Sequence, residues 1–190
     1  FANIANYDYA AYAMPLDRES VVSISLIRFA VDDILNTTQL IDDQGNINYD
    51  RISLFSTADY GVTFSYARKL PVQGFNYGVN AKVIRRIIGD FASSWGFGFD
   101  IGLQFQNKND WKFGLMLRDI TTTYNVWAIN ETEFNTIKDA VTGQNQALPE
   151  NTEITLPKAQ FGISKKIDFH NETSLLAASN LNMSFTKTND

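Results

Sequence analysis

The stretch WGFGFDIGLQF, residues 95–105, alternates large apolar residues with small or polar ones. Successive side chains of a β-strand point to opposite sides, so the stretch predicts a strand with two different faces. One face is oily and the other is glycine-rich with a single carboxylate, which suits a wall between hydrocarbon and a polar interior. The oily row is Trp95, Phe97, Phe99, Ile101, Leu103 and Phe105, and the other row is Gly96, Gly98, Asp100, Gly102 and Gln104.

The same alternation recurs along the chain and predicts about eight strands of about twelve residues. A strand of that length spans about 40 Å, and a tilt of about 45° reduces this to about 28 Å, close to the thickness of a bilayer's hydrocarbon core. Soluble proteins rarely need such length in every strand. Besides 95–105, the regular strands are 60–67, 75–83, 111–118 and 180–186, and the less regular ones are 5–14, 20–31 and 153–166.

Tight and long connections alternate between these strands, so all tight turns fall at one end of the sheet. Outer-membrane barrels have this asymmetry, with short periplasmic turns and long external loops. The pattern therefore predicts an all-β, antiparallel transmembrane barrel, with a soluble barrel or sandwich as the alternative. The tight turns are 15–19, 71–74, 107–110 and 168–172, and the longer loops are 32–57, 89–94 and roughly 121–152.

Two local features complete the prediction of structure. In strand 20–31 the apolar row slips from Leu26 to Ile27, which predicts a β-bulge there. The last long loop predicts a short helix capped by Asn130 and ended by Gly143. Its apolar face would carry Phe134, Ile137 and Val141.

Composition excludes several classes of function. The net charge is −5, from 16 basic and 21 acidic residues, and this balance does not provide the excess positive charge that nucleic-acid binding requires. There is no cysteine, and the one histidine, His170, lies in a predicted turn without partners for a triad or a metal site. We therefore expect no catalytic residues, no metal, no cofactor and no enzymatic activity.

Several charges lie within the strands and form the candidate site. Facing a polar lumen they cost little, whereas an Arg or Lys facing lipid at mid-depth costs about 2–4 kcal/mol. They form either an ion network inside the lumen or a polar wall that contacts cargo or solute. Asp100 and Arg118 come from neighbouring strands and could pair across the ladder. Arg28 and Arg85 fall instead on the apolar row near the loop-side ends, where they can reach headgroups. The lumen-facing charges are Lys82, Arg86, Asp100, Lys112 and Arg118.

Aromatic residues cluster near the strand ends, as in the girdles at the two interfaces of a membrane barrel. They are Tyr60, Phe75, Tyr77, Trp95 and Trp111.

Most of the chain resembles the PorV/PorQ family, outer-membrane barrels of the type IX secretion system in Bacteroidota-type bacteria. The most specific segments are SWGFGFDIGL, residues 94–103, and LMLRDITTTYN, residues 115–125. The resemblance implies a fold like that of the fatty-acid transporter (FadL) barrels, with about fourteen strands. We therefore expect residues 1–190 to be a single, incomplete barrel domain that lacks strands at both ends.

The family's role, by the same resemblance, is to bind or shuttle the C-terminal signal domain of secreted cargo. The implied partners are that cargo domain, the type IX translocon or an attachment complex, and the lipid of the bacterial outer membrane. The expected lumen- or cargo-facing residues are Lys82, Arg86, Asp100, Arg118, Phe134 and Ile137. The alternatives are a FadL-like transporter of hydrophobic small molecules, a structural barrel that anchors a surface complex and a soluble ligand-binding barrel.

Overall fold

One curled antiparallel sheet with the shape of a half-barrel makes up the structure, a computed structural model. It describes residues 5–41, 44–140, 151–169 and 173–185. Within these ranges the sheet has ten strands, with β1 and β10 at its two edges. The strands are β1 Asn6–Pro15, β2 Ser20–Asn36, β3 Ser53–Lys69, β4 Phe75–Ile88, β5 Ala92–Gln106, β6 Trp111–Arg118, β7 Thr123–Ile129, β8 Thr152–Thr155, β9 Lys158–Asp168 and β10 Ser174–Ser184.

The ten strands occupy only eight positions across the sheet, because two of these positions are each shared by two successive strands. Both β6 and β7 pair antiparallel with β5, in succession, so they form one long strand interrupted by residues 119–122. In the same way β8 pairs with β7 and β9 pairs with β6, with only Leu156 and Pro157 between them. The predicted antiparallel, all-β architecture of about eight strands is thus confirmed within the described residues.

The strands extend further toward the loop side than the alternation predicted. Leu35 pairs with Leu54, so β2 and β3 continue into the predicted loop 32–57. Residues 92–94 belong to β5 and residues 123–129 to β7, which shortens the other two predicted loops. Backbone hydrogen bonds between neighbouring strands continue past the last residues that alternate between apolar and polar. The shortened loop after β2 contains a 3-10 turn, Tyr49–Arg51, and the loop after β7 contains helix α1, Glu131–Ala140.

The first two tight turns are each fixed by a local contact. In the first, the Asp17 carboxylate accepts hydrogen bonds from the amides of Glu19 (2.7 Å) and Ser20 (2.8 Å), which hold the pKa of Asp17 below its usual value. In the second, Gly74 has φ +86°, and a Cβ there would meet the backbone oxygen of Gln106. The last predicted turn, which includes His170, lies mostly outside the described residues.

The predicted β-bulge at Leu26–Ile27 was wrong in position. Pairing of β2 with β3 is uninterrupted from Ser20 to Val31, and the register shifts only between Val31 and Ile34. Asp33 adopts a left-handed conformation there, with φ 57°, which a short polar side chain tolerates better than an apolar one. Ile27 therefore lies on the opposite face of the sheet from Leu26.

The two faces of the sheet differ as the alternation of β5 predicted. Phe97 is 56% exposed and Phe99 48%, whereas Asp100 in the glycine-rich row is 5% exposed. Side chains converge on the concave side of a curled sheet, so we assign the crowded row to the inside of the curl. We call this side the glycine face and the opposite side the aromatic face. No helix among the described residues is long and apolar enough to cross a membrane.

Glycines on β5 permit β7 to pack closely on the glycine face. A Cβ on Gly96 would meet the Asn125 side chain, and a Cβ on Gly98 would meet Thr123 Oγ1. Thr123 is 1% exposed and Asn125 4% exposed, so neither can easily move aside. Small residues on this strand are therefore a packing requirement.

We expect Gly98→Ala to lower the free energy of unfolding by about 1–3 kcal/mol, because the added methyl group overpacks the contact with Thr123. The matched control is Gly114→Ala on the same face, where a Cβ would meet nothing within 4 Å. Urea unfolding in detergent, followed by tryptophan fluorescence, measures both variants. Equal midpoints for the two variants would contradict the packing argument.

Candidate functional site

The centre of the glycine face holds a buried lysine between two carboxylates. Lys82 Nζ lies 2.7 Å from Asp100 Oδ1 and 2.6 Å from Asp119 Oδ1. The three side chains are only 15%, 5% and 10% exposed, respectively. Asn80 Nδ2 donates to the second oxygen of Asp100 at 3.3 Å. We call Lys82, Asp100 and Asp119 the central triad.

The interruption between β6 and β7 brings Asp119 into the central triad. Asp119 and Thr122 both have positive φ, 54° and 59°, so the backbone leaves the strand and returns to it within four residues. The Asp119 amide donates to Asp100 Oδ1 at 3.0 Å, and Thr123 Oγ1 donates to Asp119 Oδ1 at 2.6 Å. These hydrogen bonds compensate for the unfavourable left-handed backbone conformations of Asp119 and Thr122.

The predicted pair between Asp100 and Arg118 was wrong. Asp100 forms its ion pair with Lys82 instead. Arg118 is at the end of β6, opposite Lys158 in the ladder, and its side chain is exposed. The β6–β7 interruption begins at this point, so the Asp119 amide occupies the place beside Asp100 that a regular ladder would give to Arg118.

A second polar cluster surrounds Arg86 nearer the loop side of the glycine face. Arg86 Nε lies 3.2 Å from Asp59 Oδ1, and Arg86 Nη1 lies 3.2 Å from Glu153 Oε2. Trp127 Nε1 donates to the same Glu153 oxygen at 3.3 Å, and its ring centre is 5.6 Å from the guanidinium carbon. These charged side chains are 35–49% exposed, so solvent and partners reach them far more easily than the central triad. We call Asp59, Arg86, Trp127 and Glu153 the rim cluster.

Helix α1 starts beside this rim. Asn130 Oδ1 accepts from the amides of Thr132 (3.2 Å) and Glu133 (3.4 Å), which confirms the predicted cap. The Asn130 amide donates to Phe91 O at 2.8 Å and thereby ties the helix start to the β4–β5 turn. Phe134 is half-buried and Ile137 lies one turn further along α1. Val141 and Gly143 lie outside the described residues.

Of the predicted lumen-facing residues, Lys82 and Asp100 come together and Arg86 lies in the rim cluster, while Arg118 stands apart. Asp59, Asp119, Trp127 and Glu153 were missed. Asp59 continues the polar row of β3, so extending the alternation one step upstream of Tyr60 would have found it. The segment RDITTT, residues 118–123, breaks the alternation between two regular runs, and that break was the signal for Asp119.

In the described ranges, no group of three or more histidine, cysteine or acidic side chains is arranged to hold a metal ion. No model of a protein family matches this chain, and no match is found among curated proteins or solved structures.

We expect Lys82→Met to destabilise the protein by about 3–5 kcal/mol, because two buried carboxylates lose their counter-charge. The control is Lys112→Met, an exposed lysine on the same face. Its expected effect is within about 0.5 kcal/mol. The check is again urea unfolding in detergent, and a Lys82 variant as stable as the control would mean that the triad is not structurally important.

Proposed function

We propose that the chain forms part of the wall of a bacterial outer-membrane β-barrel of the type IX secretion system, which binds or shuttles the C-terminal signal domain of secreted cargo. The glycine face lines the lumen and the aromatic face contacts lipid. The arrangement of the aromatic face carries the membrane part of this proposal.

Aromatic rings and cations border the aromatic face at both ends. At the loop side, Arg28 lies 6.0 Å from the Tyr60 ring centre and Arg85 lies 5.0 Å from that of Trp95. At the turn side, Lys165 Nζ lies 5.0 Å from the Trp111 ring centre, next to stacked phenylalanine rings. Such amphipathic rings favour the interface between headgroups and hydrocarbon. The stacked rings at the turn side are Phe75, Phe105, Phe113 and Trp111.

Between these two belts the described strands carry a single charge on the aromatic face, Arg68, which pairs with Tyr77 near the turn-side end of β4. Trp95 and Phe105 are ten residues apart on β5, which is about 33 Å along the strand and about 25 Å after a typical tilt. That distance matches the height of the apolar band of an outer-membrane barrel. Representative residues of the band are Ile24, Phe64, Val83, Phe99 and Leu115.

Cargo handling is supported by the sequence resemblance and by the rim cluster. Arg86, Asp59 and Glu153 are half-exposed charges at the loop side of the lumen, where a protein surface could replace their mutual contacts. Phe134 on α1, the helix that follows β7, adds a half-buried aromatic anchor. The partners proposed are the cargo's C-terminal domain and the translocon or attachment complex.

The second candidate is a FadL-like transporter of hydrophobic small molecules. An exposed apolar group on the glycine face favours it: Tyr7 pairs with Phe29, and Tyr9 with Ile27. These four residues lie at the loop side of β1 and β2 and would offer an apolar patch to a lipophilic solute. The charged rim and central triad on the neighbouring strands favour the cargo-binding function instead.

We expect Ile101→Arg to prevent stable membrane insertion, because an arginine facing mid-bilayer lipid costs about 2–4 kcal/mol. The control is Gln104→Arg on the same strand, which places the charge on the polar glycine face and should insert normally. Heat-modifiable migration of protein extracted from outer membranes measures insertion. Normal insertion of the Ile101 variant would reject the assignment of the aromatic face to lipid.

A photo-reactive phenylalanine analogue at position 134 should cross-link to the C-terminal domain of a secreted protein in living cells. The same analogue at Lys108, at the turn side, serves as control and should not. Mass spectrometry identifies the cross-linked partner. A barrel that inserts but yields no cross-link to secreted protein from Phe134 would reject cargo binding at α1, and fatty acid cross-linked from position 9 would favour the transporter.

A further inference from the structure

One row across five strands of the aromatic face places two arginines beside two aromatic rings. The ladder pairs Arg28 with Tyr60, Tyr60 with Arg85, and Arg85 with Trp95. On the other side Asp8 pairs with Arg28. All five side chains therefore lie in one hydrogen-bonded row across the sheet, toward the loop-side end of the apolar band. We call Asp8, Arg28, Tyr60, Arg85 and Trp95 the arginine row.

The described contacts use few of the donors in this row. Arg28 donates to Asp8 at 3.0 Å and to Tyr60 Oη at 3.5 Å, while Arg85 donates to Ser94 O at 3.4 Å. A guanidinium has five N–H donors, so most donors of both residues remain for a ligand. Tyr60 and Trp95 stack against the guanidinium groups and hold them in place.

The row also has uncompensated charge. Asp8 is the one carboxylate in it against two guanidinium groups, so its net charge is +1. Hydrocarbon cannot solvate that charge or accept hydrogen bonds from it. Phosphate can do both, and guanidinium–phosphate hydrogen bonds are among the strongest that side chains form. An anionic headgroup is therefore the complementary ligand for this row.

We propose that the arginine row binds phosphate groups of membrane lipid headgroups in the leaflet on the loop side of the barrel. This rests on the proposed membrane location of the aromatic face. Arg28 and Arg85 are two strand spacings apart, about 10 Å, and are held by different rings, so they bind separate phosphates. A headgroup with two phosphates bridges the pair, and Tyr60 lies under its centre.

The test measures lipid retained by the detergent-purified, folded protein, using native mass spectrometry. The probes are diphosphorylated lipid A and the same lipid with both phosphates removed. We expect the protein to retain the diphosphorylated lipid at least about tenfold more strongly. The double variant R28Q/R85Q should lose this preference. The control R68Q/K165Q removes two cations from the turn-side end of the same face and should keep it.

Equal retention of the two lipids by the unaltered protein overturns the proposal without any variant. If R28Q/R85Q folds and keeps the preference, or if the control loses it equally, the arginine row is not the site. Release of the lipid by millimolar inorganic phosphate alone would mean that the row binds free phosphate, which also overturns it. Heat-modifiable migration is measured in parallel. A protein that folds and inserts without a phosphate preference contradicts only this proposal, whereas one that never inserts contradicts the barrel as well.

Discussion

Close approach of β7 to the glycines of β5 is the constraint on which the rest of the glycine face depends. Without side chains at Gly96 and Gly98, Thr123 and Asn125 pack directly on the neighbouring strand. The same approach brings the Asp119 turn over β5, where Asp119 contacts Asp100 of β5 and Lys82 of the neighbouring strand β4. A buried ion pair is costly unless its groups are fully hydrogen-bonded, and here backbone amide, hydroxyl and carboxamide groups complete the bonding.

Polar groups are arranged differently on the two faces of the sheet. On the glycine face, carboxylates and cations bond to one another, tightly at the central triad and loosely at the rim cluster. On the aromatic face of the described strands, cations lie toward the two ends, and each of Arg28, Arg85 and Lys165 lies against an aromatic ring. The proposed wall between lipid and a polar lumen requires this separation.

Sequence reasoning failed mainly where the alternation ends. Loop boundaries were misplaced by several residues, because backbone pairing continues beyond the last alternating residue, as between Leu35 and Leu54. The bulge was predicted at Leu26–Ile27. The register instead changes between Val31 and Ile34, where Asp33 adopts a left-handed conformation. Strand β2 carries apolar residues on both faces. Ile27 on the glycine face therefore resembled a shift of the apolar row from one face to the other, although the register there is unbroken.

By itself, the sequence determined the all-β class, about eight antiparallel rows, the alternation of turns with loops, the Asn130 cap and the faces of Lys82, Arg86 and Asp100. Those properties follow from the two-residue period of a strand and from local turn chemistry, which any short segment carries within itself. Only the tertiary structure decided which charges meet. Lys82 and Asp119 are 37 residues apart. The interruption after Arg118 places the amide of the next residue, Asp119, beside Asp100, where Arg118 was predicted. Pairing of charges depends on register across three strands, and the break in alternation at residues 118–123 marks a turn there without determining which charges that turn brings together.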